Sequence, residues 1–205
     1  MDEIGLFPLG VVLLPTERVP LHIFEPRYRE LIGECLDEAK EFGFLLGDED
    51  DTQRVGTRAA VTEVLNRLSD GRFDVVVEGG DRFRIVEGTD GRSFQTALIE
   101  PYDDVPDAAA PAAVEQALTL FGRLVELTGS DVDVPDAESA QLSFELAARF
   151  DFAPPLKQEL LEERSERVRL DRVCAILEEA AAVVARQHEI AQLASTNGHA
   201  KPTES

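Results

Sequence analysis

The apolar residues of this chain change their spacing once, at a short stretch rich in alanine, aspartate and proline. Before this stretch they form short runs or alternate with polar residues, as Phe73, Val75 and Val77 do, which is the pattern of β-strands. After it they recur every three or four residues, as Leu118, Phe121 and Val125 do, which is the pattern of helices. The sequence therefore predicts an α+β protein. Its predicted parts are a β-barrel subdomain (1–103), a linker (104–111), a helical bundle (112–194) and a disordered polar tail (195–205).

Closely spaced turn signals divide residues 1–103 into many short predicted strands. Asp70-Gly71 and Asp90-Gly91 are hairpin signals, and Gly79-Gly80 predicts a bulge or tight turn between two strands. Many short strands at such spacing favour a barrel or a sandwich, with the apolar run 11–14 among the strand candidates. One helix is predicted over residues 26–40, since Pro26 suits a first helical turn and apolar residues follow at helical spacing.

The charge of the chain limits its partners. Forty-one acidic and 20 basic residues give a net charge of −21, spread over both halves. Such a surface repels phosphate backbones and anionic lipids, so neither nucleic acid nor a membrane is predicted as a partner. Met1-Asp2-Glu3 is not the basic start of a signal peptide, and no apolar run approaches the ~20 residues of a membrane span. A cytoplasmic location is predicted.

Motifs for catalysis, metals and cofactors are absent from the sequence. None of the three lysines follows a glycine, so there is no P-loop, and residues 188–192 fail the zinc-protease pattern. The acidic run 48–51 lacks the spacing of a calcium loop and predicts a solvated loop. Cys35 and Cys174 fall on apolar helix faces and are predicted to be small buried hydrophobes. His188 is predicted to be a core or interface residue. No catalytic, metal-binding or cofactor-binding residue follows, and the chain is not predicted to be an enzyme.

Several motifs follow one another in a recognisable order. The run Val19–Leu31, which includes the letters PLHIFEPRY, is followed by Gly80–Ile85 and then by Lys157–Glu162. In this order the chain resembles the N-terminal, substrate-binding domain of ATP-dependent Lon proteases, over roughly residues 4–190. The resemblance implies a PUA-like, six-stranded β pseudo-barrel with one helix, followed by a C-terminal helical bundle. It also implies that the domain holds polypeptides.

This resemblance leads to three hypotheses. In the first, the chain is a non-catalytic module without room for ATPase and protease parts, and it binds unfolded or apolar polypeptides in apolar pockets between barrel and bundle. In the second, it is an adaptor or regulator that docks on an ATP-dependent protease or another machine through the long C-terminal helix. The third is RNA binding by analogy with PUA-type folds, which the charge opposes. Its basic patch would consist of Arg67, Arg72, Arg82 and Arg84.

The residues of the first motif have a structural and a functional interpretation. Structurally, Glu25 caps the helix, Pro26 begins it and Tyr28 anchors it on the barrel. Functionally, the exposed face of the helix provides the peptide contacts Arg27, Glu30 and Glu34. Arg82 and Arg84 alternate with apolar neighbours and are predicted to lie on one solvated strand face. The motif residues predicted to have structural roles are His22, Phe24, Glu25, Pro26, Tyr28, Arg82 and Phe83.

Overall fold

The computed structural model describes residues 2–48, 51–89 and 91–197, and the side chains among them up to residue 191. The strands are β1 Asp2–Leu9, β2 Arg18–Ile23, β3 Phe42–Leu46, β4 Val55–Arg67, β5 Phe73–Thr89 and β6 Thr96–Pro101. The helices are α1 Pro26–Glu38, α2 Pro111–Thr128, α3 Leu142–Ala147, α4 Pro154–Glu162 and α5 Glu166–Asn197. The predicted α+β class is confirmed.

Five of the six strands form a closed ring, and β2 is attached to this ring by one edge. Their order is β2-β5-β4-β3-β1-β6, and an additional β5–β6 pairing closes a ring of five strands. β2 pairs with the first part of β5, and β6 pairs with the second part of the same strand. β1 pairs with β6 over Asp2–Gly5 and with β3 over Leu6–Leu9. Within the described residues, β2 and the second half of β1 therefore each keep one unpaired edge.

The bulge predicted at Gly79-Gly80 is confirmed, because the register of β5 against β4 shifts between the pairs Thr57–Arg82 and Ala59–Gly79, although β5 continues as one strand. The predicted strand over the apolar run 11–14 was wrong. Leu13 and Leu14 instead cross the barrel end as a buried loop, and Thr57 Oγ1 donates a hydrogen bond of 2.6 Å to the Leu13 carbonyl. The glycine serves this loop, because a Cβ atom on Gly79 would lie 2.1 Å from the Leu14 carbonyl oxygen.

The helices pack into a core that continues into the barrel. α5 packs along α2 and α3, and the apolar core of the helices includes Val12, Leu14 and Val55 from the barrel part. α3 is short, with six residues. α5 extends beyond the predicted boundary at 194, and residues 198–205 of the predicted tail lie outside the described residues. The division into two subdomains with a linker stays a prediction, since α2 begins inside the predicted linker.

A buried network of charges joins the two parts. Arg169 is fully buried and donates hydrogen bonds to Asp104 Oδ1 and Oδ2, at 2.7 and 2.5 Å, and to Glu166 Oε2 at 2.7 Å. Arg82 of β5 pairs with the same Asp104. Glu166 also accepts hydrogen bonds from the backbone N–H and the hydroxyl of Ser143, at 2.9 and 2.7 Å. Two guanidiniums and two carboxylates thus compensate one another. The prediction that the Arg82 side chain lies on a solvated strand face was wrong, because this side chain is buried.

The two guanidiniums differ in their surroundings. Burial lowers the pKa of Arg82. The charge of Asp104 offsets part of this effect, repulsion from Arg169 adds to it, and the pKa of Arg82 stays below its ordinary value. Burial acts on Arg169 in the same direction, but hydrogen bonding to Asp104 and the charge of Glu166 outweigh it, and its pKa is raised. The difference follows from the number of carboxylates, since Arg169 contacts two and Arg82 contacts one.

A second buried ion pair ties the loop before β2 to α4. Lys157 pairs with Glu17, and the other carboxylate oxygen of Glu17 accepts a 2.9 Å hydrogen bond from the Leu14 backbone N–H. Nearby, the Tyr102 hydroxyl donates a hydrogen bond of 3.0 Å to the Glu162 carbonyl. The barrel and the helices are therefore joined by directed polar contacts as well as by apolar packing.

Replacing Arg169 by Met should strongly destabilise the protein. The substitution leaves the buried Glu166 and the partly exposed Asp104 with less compensation, and losing one partner of a buried pair costs about 3–5 kcal/mol. Urea unfolding followed by circular dichroism measures the loss. The matched control is Arg172→Met on the same helix, where an exposed pair with Glu159 contributes less than about 1 kcal/mol. Equal losses in both variants would contradict the importance of the network.

Two glycines of β5 provide a second paired test. Gly79→Ala places a methyl group against the Leu14 carbonyl and should lower the free energy of unfolding by about 1–3 kcal/mol, as overpacking does. Gly88→Ala has no atom within 4 Å of the added Cβ and should leave stability within about 0.5 kcal/mol. Thermal unfolding compares the two variants. A stable Gly79→Ala protein would show that the loop is not held against β5.

Candidate functional site

The first motif lines an open cleft between β2 and the second half of β1, the two strands with an unpaired edge. The cleft has a volume of about 400 Å³. We call it the motif cleft; it is lined by the end of β1 (residues 7–10), by residues 20–23 of β2, by the start of α1 (residues 24, 25, 27 and 28) and by Gly47 and Asp48. Most of the motif residues singled out from the sequence therefore surround one feature.

The start of α1 has the predicted position but not the predicted cap. Glu25 is the N-cap residue with an extended backbone, and Pro26 lies in the first turn, as expected. The Glu25 side chain makes no capping hydrogen bond and instead accepts hydrogen bonds from Arg27 Nε and Nη2, at 3.1 and 2.6 Å. The predicted side-chain cap was wrong, because the carboxylate turns towards a guanidinium two residues away, where the hydrogen bonds are charge-assisted.

Tyr28 lies between helix and barrel. Its ring is buried, with its centroid 4.3 Å from that of Phe7. The Arg27 guanidinium lies 4.6 Å from the same ring centroid. Burial raises the pKa of the Tyr28 phenol, with an opposing contribution from the charge of Arg27. These contacts fix the wall of the motif cleft that α1 provides.

The other side of the cleft exposes an aromatic pair. Phe24 is 59% exposed, and its ring stacks on His22 with a centroid distance of 6.0 Å. His22 Nδ1 lies 2.6 Å from Asp74 Oδ1 on the neighbouring strand, so the imidazole is held in place. Fifty-nine per cent exposure is high for a phenylalanine and leaves its apolar face available to a partner.

The predicted peptide contacts do not lie together. Arg27 lines the motif cleft. Glu30 accepts a hydrogen bond of 2.7 Å from the Ser93 hydroxyl, and Glu34 pairs with Arg92, both in the connection between β5 and β6. Phe83 is fully buried in the barrel core. The role of Arg27, Glu30 and Glu34 in peptide binding stays a prediction.

A larger cavity lies between barrel and helices, where the sequence predicted apolar pockets. This interface cavity has a volume of about 690 Å³. Its walls include Pro15, Tyr102, Val105, Leu142 and Phe144. Arg82, Asp104 and Glu166 also line it, but their charged groups are bonded to one another or to Arg169 and Ser143. These three charged groups of the lining are therefore already satisfied.

The described part of the chain contains no group of three or more His, Cys, Asp and Glu side chains that could hold a metal ion. In the same residues, no helix has both the length and the apolar character to cross a membrane. His188 is exposed, so the core alternative of its prediction was wrong, and the interface alternative stays a prediction. The buried stripe of α5 ends at Ala181, and the helix continues beyond the neighbours that bury it.

Comparisons with known proteins agree with the motif order. Residues 3–179 match the family model described as the ATP-dependent protease La (LON) substrate-binding domain. The chain belongs to this family. A Lon protease of Paraburkholderia phytofirmans is 28% identical over 84% of this chain, and one of Phenylobacterium zucineum is 26% identical over 93%. The alignments span 24% and 26% of those two proteins, so the chain covers about a quarter of their length.

Solved structures show the same fold. The Lon N-terminal domain protein of Xanthomonas campestris superposes with a TM-score of 0.68 at 23% identity, over 85% of this chain and 98% of that one. The N-terminal domain of a Mycobacterium avium complex Lon protease gives 0.67 at 18% identity, over 88% and 98%. The fold inferred from the motif order is thereby confirmed.

Sequence reasoning missed the edges of the motif cleft and the partners of the buried arginines. Pro8 and Pro20 carried a usable signal, because proline within a short strand places that strand at a sheet edge. Asp104 and Glu166 carried no comparable signal. They stand among many acidic residues, and only the packing of α5 on the barrel shows that these two pair with buried arginines.

The cysteines should be unreactive in the folded protein. Both are buried, and burial raises the pKa of Cys35 to about 11 and also raises that of Cys174. Because the thiolate is the reactive form, iodoacetamide at pH 8 should label neither thiol in the native state and both in 6 M urea. Mass spectrometry counts the adducts. Rapid native labelling of Cys35 would contradict its assignment as a buried apolar residue.

Proposed function

We propose that this chain is a non-catalytic polypeptide-binding module that holds unfolded or apolar segments. Membership of the Lon substrate-binding domain family supports the proposal. The observation that carries it is the motif cleft, where an exposed Phe24 borders an apolar opening with unpaired strand edges. An apolar patch supplies affinity for many sequences, and backbone groups at a strand edge bind main chain irrespective of sequence.

The rigid attachment of barrel to helices supports binding rather than chemistry. Arg82 and Arg169 direct their guanidiniums at carboxylates and backbone carbonyls of the protein itself. The interface cavity, which the sequence predicted as the binding place, remains a second contact region for a long polypeptide. Its apolar walls would bind side chains while its buried network stays intact. A cytoplasmic location stays a prediction.

The proposed function predicts a preference for unfolded over folded polypeptide of the same composition. Reduced and alkylated ribonuclease A should bind in the micromolar range, because its apolar side chains and backbone groups are accessible. Native ribonuclease A, with nearly the same sequence and charge, is the matched control and should bind at least about tenfold more weakly. Isothermal titration calorimetry measures both. Absence of binding to the unfolded form at high micromolar concentration would refute the proposal.

The exposed end of α5 favours a second candidate, an adaptor that docks on an ATP-dependent protease. Val183 is 51% exposed and Ile190 is 60% exposed, beyond the last buried residue of the helix. Their apolar side chains could pack against a partner helix. A Val183→Ser, Ile190→Ser double variant should then lose a stoichiometric protease from affinity capture that the unchanged protein retains. Retention of the protease by the variant would contradict docking through this face.

RNA binding is not proposed, because the four arginines considered for it do not form a phosphate-facing patch. Arg82 is buried, and Arg84 and Arg72 pair with Glu100 and Asp70. Arg67 lies over the ring of Phe73. With a net charge of −21 on the chain, these neutralised arginines offer little attraction to a phosphate backbone.

A further inference from the structure

The unpaired edge of β2 presents a definite set of backbone groups to the motif cleft. The Glu17 carbonyl accepts a 2.9 Å hydrogen bond from the Gly79 backbone N–H, so residue 17 faces β5. Backbone groups of successive strand residues point to alternate sides, so Pro20 and His22 face away from β5. The position of Pro20 agrees, since its ring nitrogen has no hydrogen to donate to a neighbouring strand.

The facing edge of β1 has a similar arrangement. The Leu6 backbone N–H donates to the Gln95 carbonyl on the β6 side, and the Leu9 carbonyl accepts from the Gly47 N–H on the β3 side. By the same alternation, the Pro8 carbonyl faces the cleft. Among the strand residues that line the cleft, the two edges therefore offer the carbonyls of Pro8, Pro20 and His22 and the N–H of His22. Edges so rich in acceptors suit an occupant that supplies donors.

The side chains of the cleft add two further requirements. Leu9 and Leu21 are half-buried next to the exposed ring of Phe24, which forms an apolar surface. Among the described lining residues, the charged side chains are Glu25, Arg27 and Asp48, and Arg27 is bonded to Glu25. Two carboxylates against one guanidinium, on a chain of net charge −21, favour a cationic neighbour.

We propose that the motif cleft binds one extended segment of an unfolded polypeptide as an added strand on β2. The segment carries an apolar side chain against Leu9, Leu21 and Phe24 and a Lys or Arg beside it, next to the cleft carboxylates. The prolines on both edges limit pairing to a few hydrogen bonds, so binding stays reversible and does not extend the sheet from molecule to molecule. This inference rests on the proposed function and adds to it where the polypeptide binds, how it pairs with β2 and which charge is preferred beside its apolar side chain.

Fluorescent ten-residue peptides test the charge preference. Three peptides share a Leu-Phe-Val centre and differ in flanking residues, which are Lys, Ser or Glu. The Lys peptide should bind about tenfold more tightly than the Glu peptide at 50 mM salt, and the difference should shrink at 500 mM. Fluorescence anisotropy measures the affinities. Equal binding of all three peptides would overturn the charge preference.

N-methylation tests the strand geometry. Two versions of the Lys peptide carry N-methyl groups on alternate residues, in the two possible sets. Only one set removes the donors that face β2, so one version should bind about tenfold more weakly than the other. If both versions bind as tightly as the unmethylated peptide, strand pairing is excluded.

Variants of the protein test whether the peptide binds in the motif cleft. Phe24→Ser should weaken binding of the Lys peptide about tenfold by removing the exposed aromatic surface. The matched control Leu65→Ser, on β4 and 53% exposed, should leave the affinity unchanged. An unfolding curve for each variant establishes that both are folded. Equal affinities of the two variants for the Lys peptide would overturn the assignment to the motif cleft.

The outcomes separate this inference from the proposed function. Binding of unfolded ribonuclease A by the unchanged protein, with no effect of Phe24→Ser on any peptide, refutes the cleft and leaves the polypeptide-binding module standing. No binding of ribonuclease A or of any peptide refutes both. Dependence on flanking charge, on one N-methylated set and on Phe24 supports the inference in all its parts.

Discussion

The ion network around Arg169 is the interaction on which the arrangement of this protein depends. A fully buried guanidinium is tolerable only when carboxylates and carbonyl oxygens surround it, and Asp104, Glu166 and Glu163 provide them from the connection between β6 and α2 and from the helices. Arg82 brings the barrel to the same aspartate. Because each charge is satisfied only when β5, residue 104 and α5 meet in one geometry, the network allows a single orientation of barrel and helices. The Lys157–Glu17 pair fixes the loop before β2 in the same way.

The barrel also has an opening at the motif cleft, which none of the residues of the Arg169 network lines. The ring of strands closes through the β5–β6 pairing and does not require β2, which remains attached to β5 by one edge. The opening exposes backbone acceptors, an aromatic ring and carboxylates, which are features of a surface that binds main chain and selects loosely by side chain. These features are the ones on which the proposed binding of polypeptides of varied sequence depends.

Much of the fold could be predicted from particular residues. Pro26 and the apolar spacing after it predicted the start of α1. Gly79-Gly80 correctly predicted a bulge but also suggested a break between two strands, because a glycine needed for close approach of Leu14 looks in sequence like a glycine needed for a turn. Arg82 misled the surface prediction, because strand alternation alone shows two faces and does not show which is covered by helices.

The sequence by itself determined the fold class, the family and the residues of the first motif, since these depend on local periodicity and on the order of short motifs. Only the tertiary structure decided which charges are buried, which strand edges are free and how far α5 runs past its neighbours. The physical reason is that local patterns encode which face of an element is apolar. Burial of Arg169 and exposure of Phe24 depend instead on elements that are distant along the chain and meet only in the folded protein.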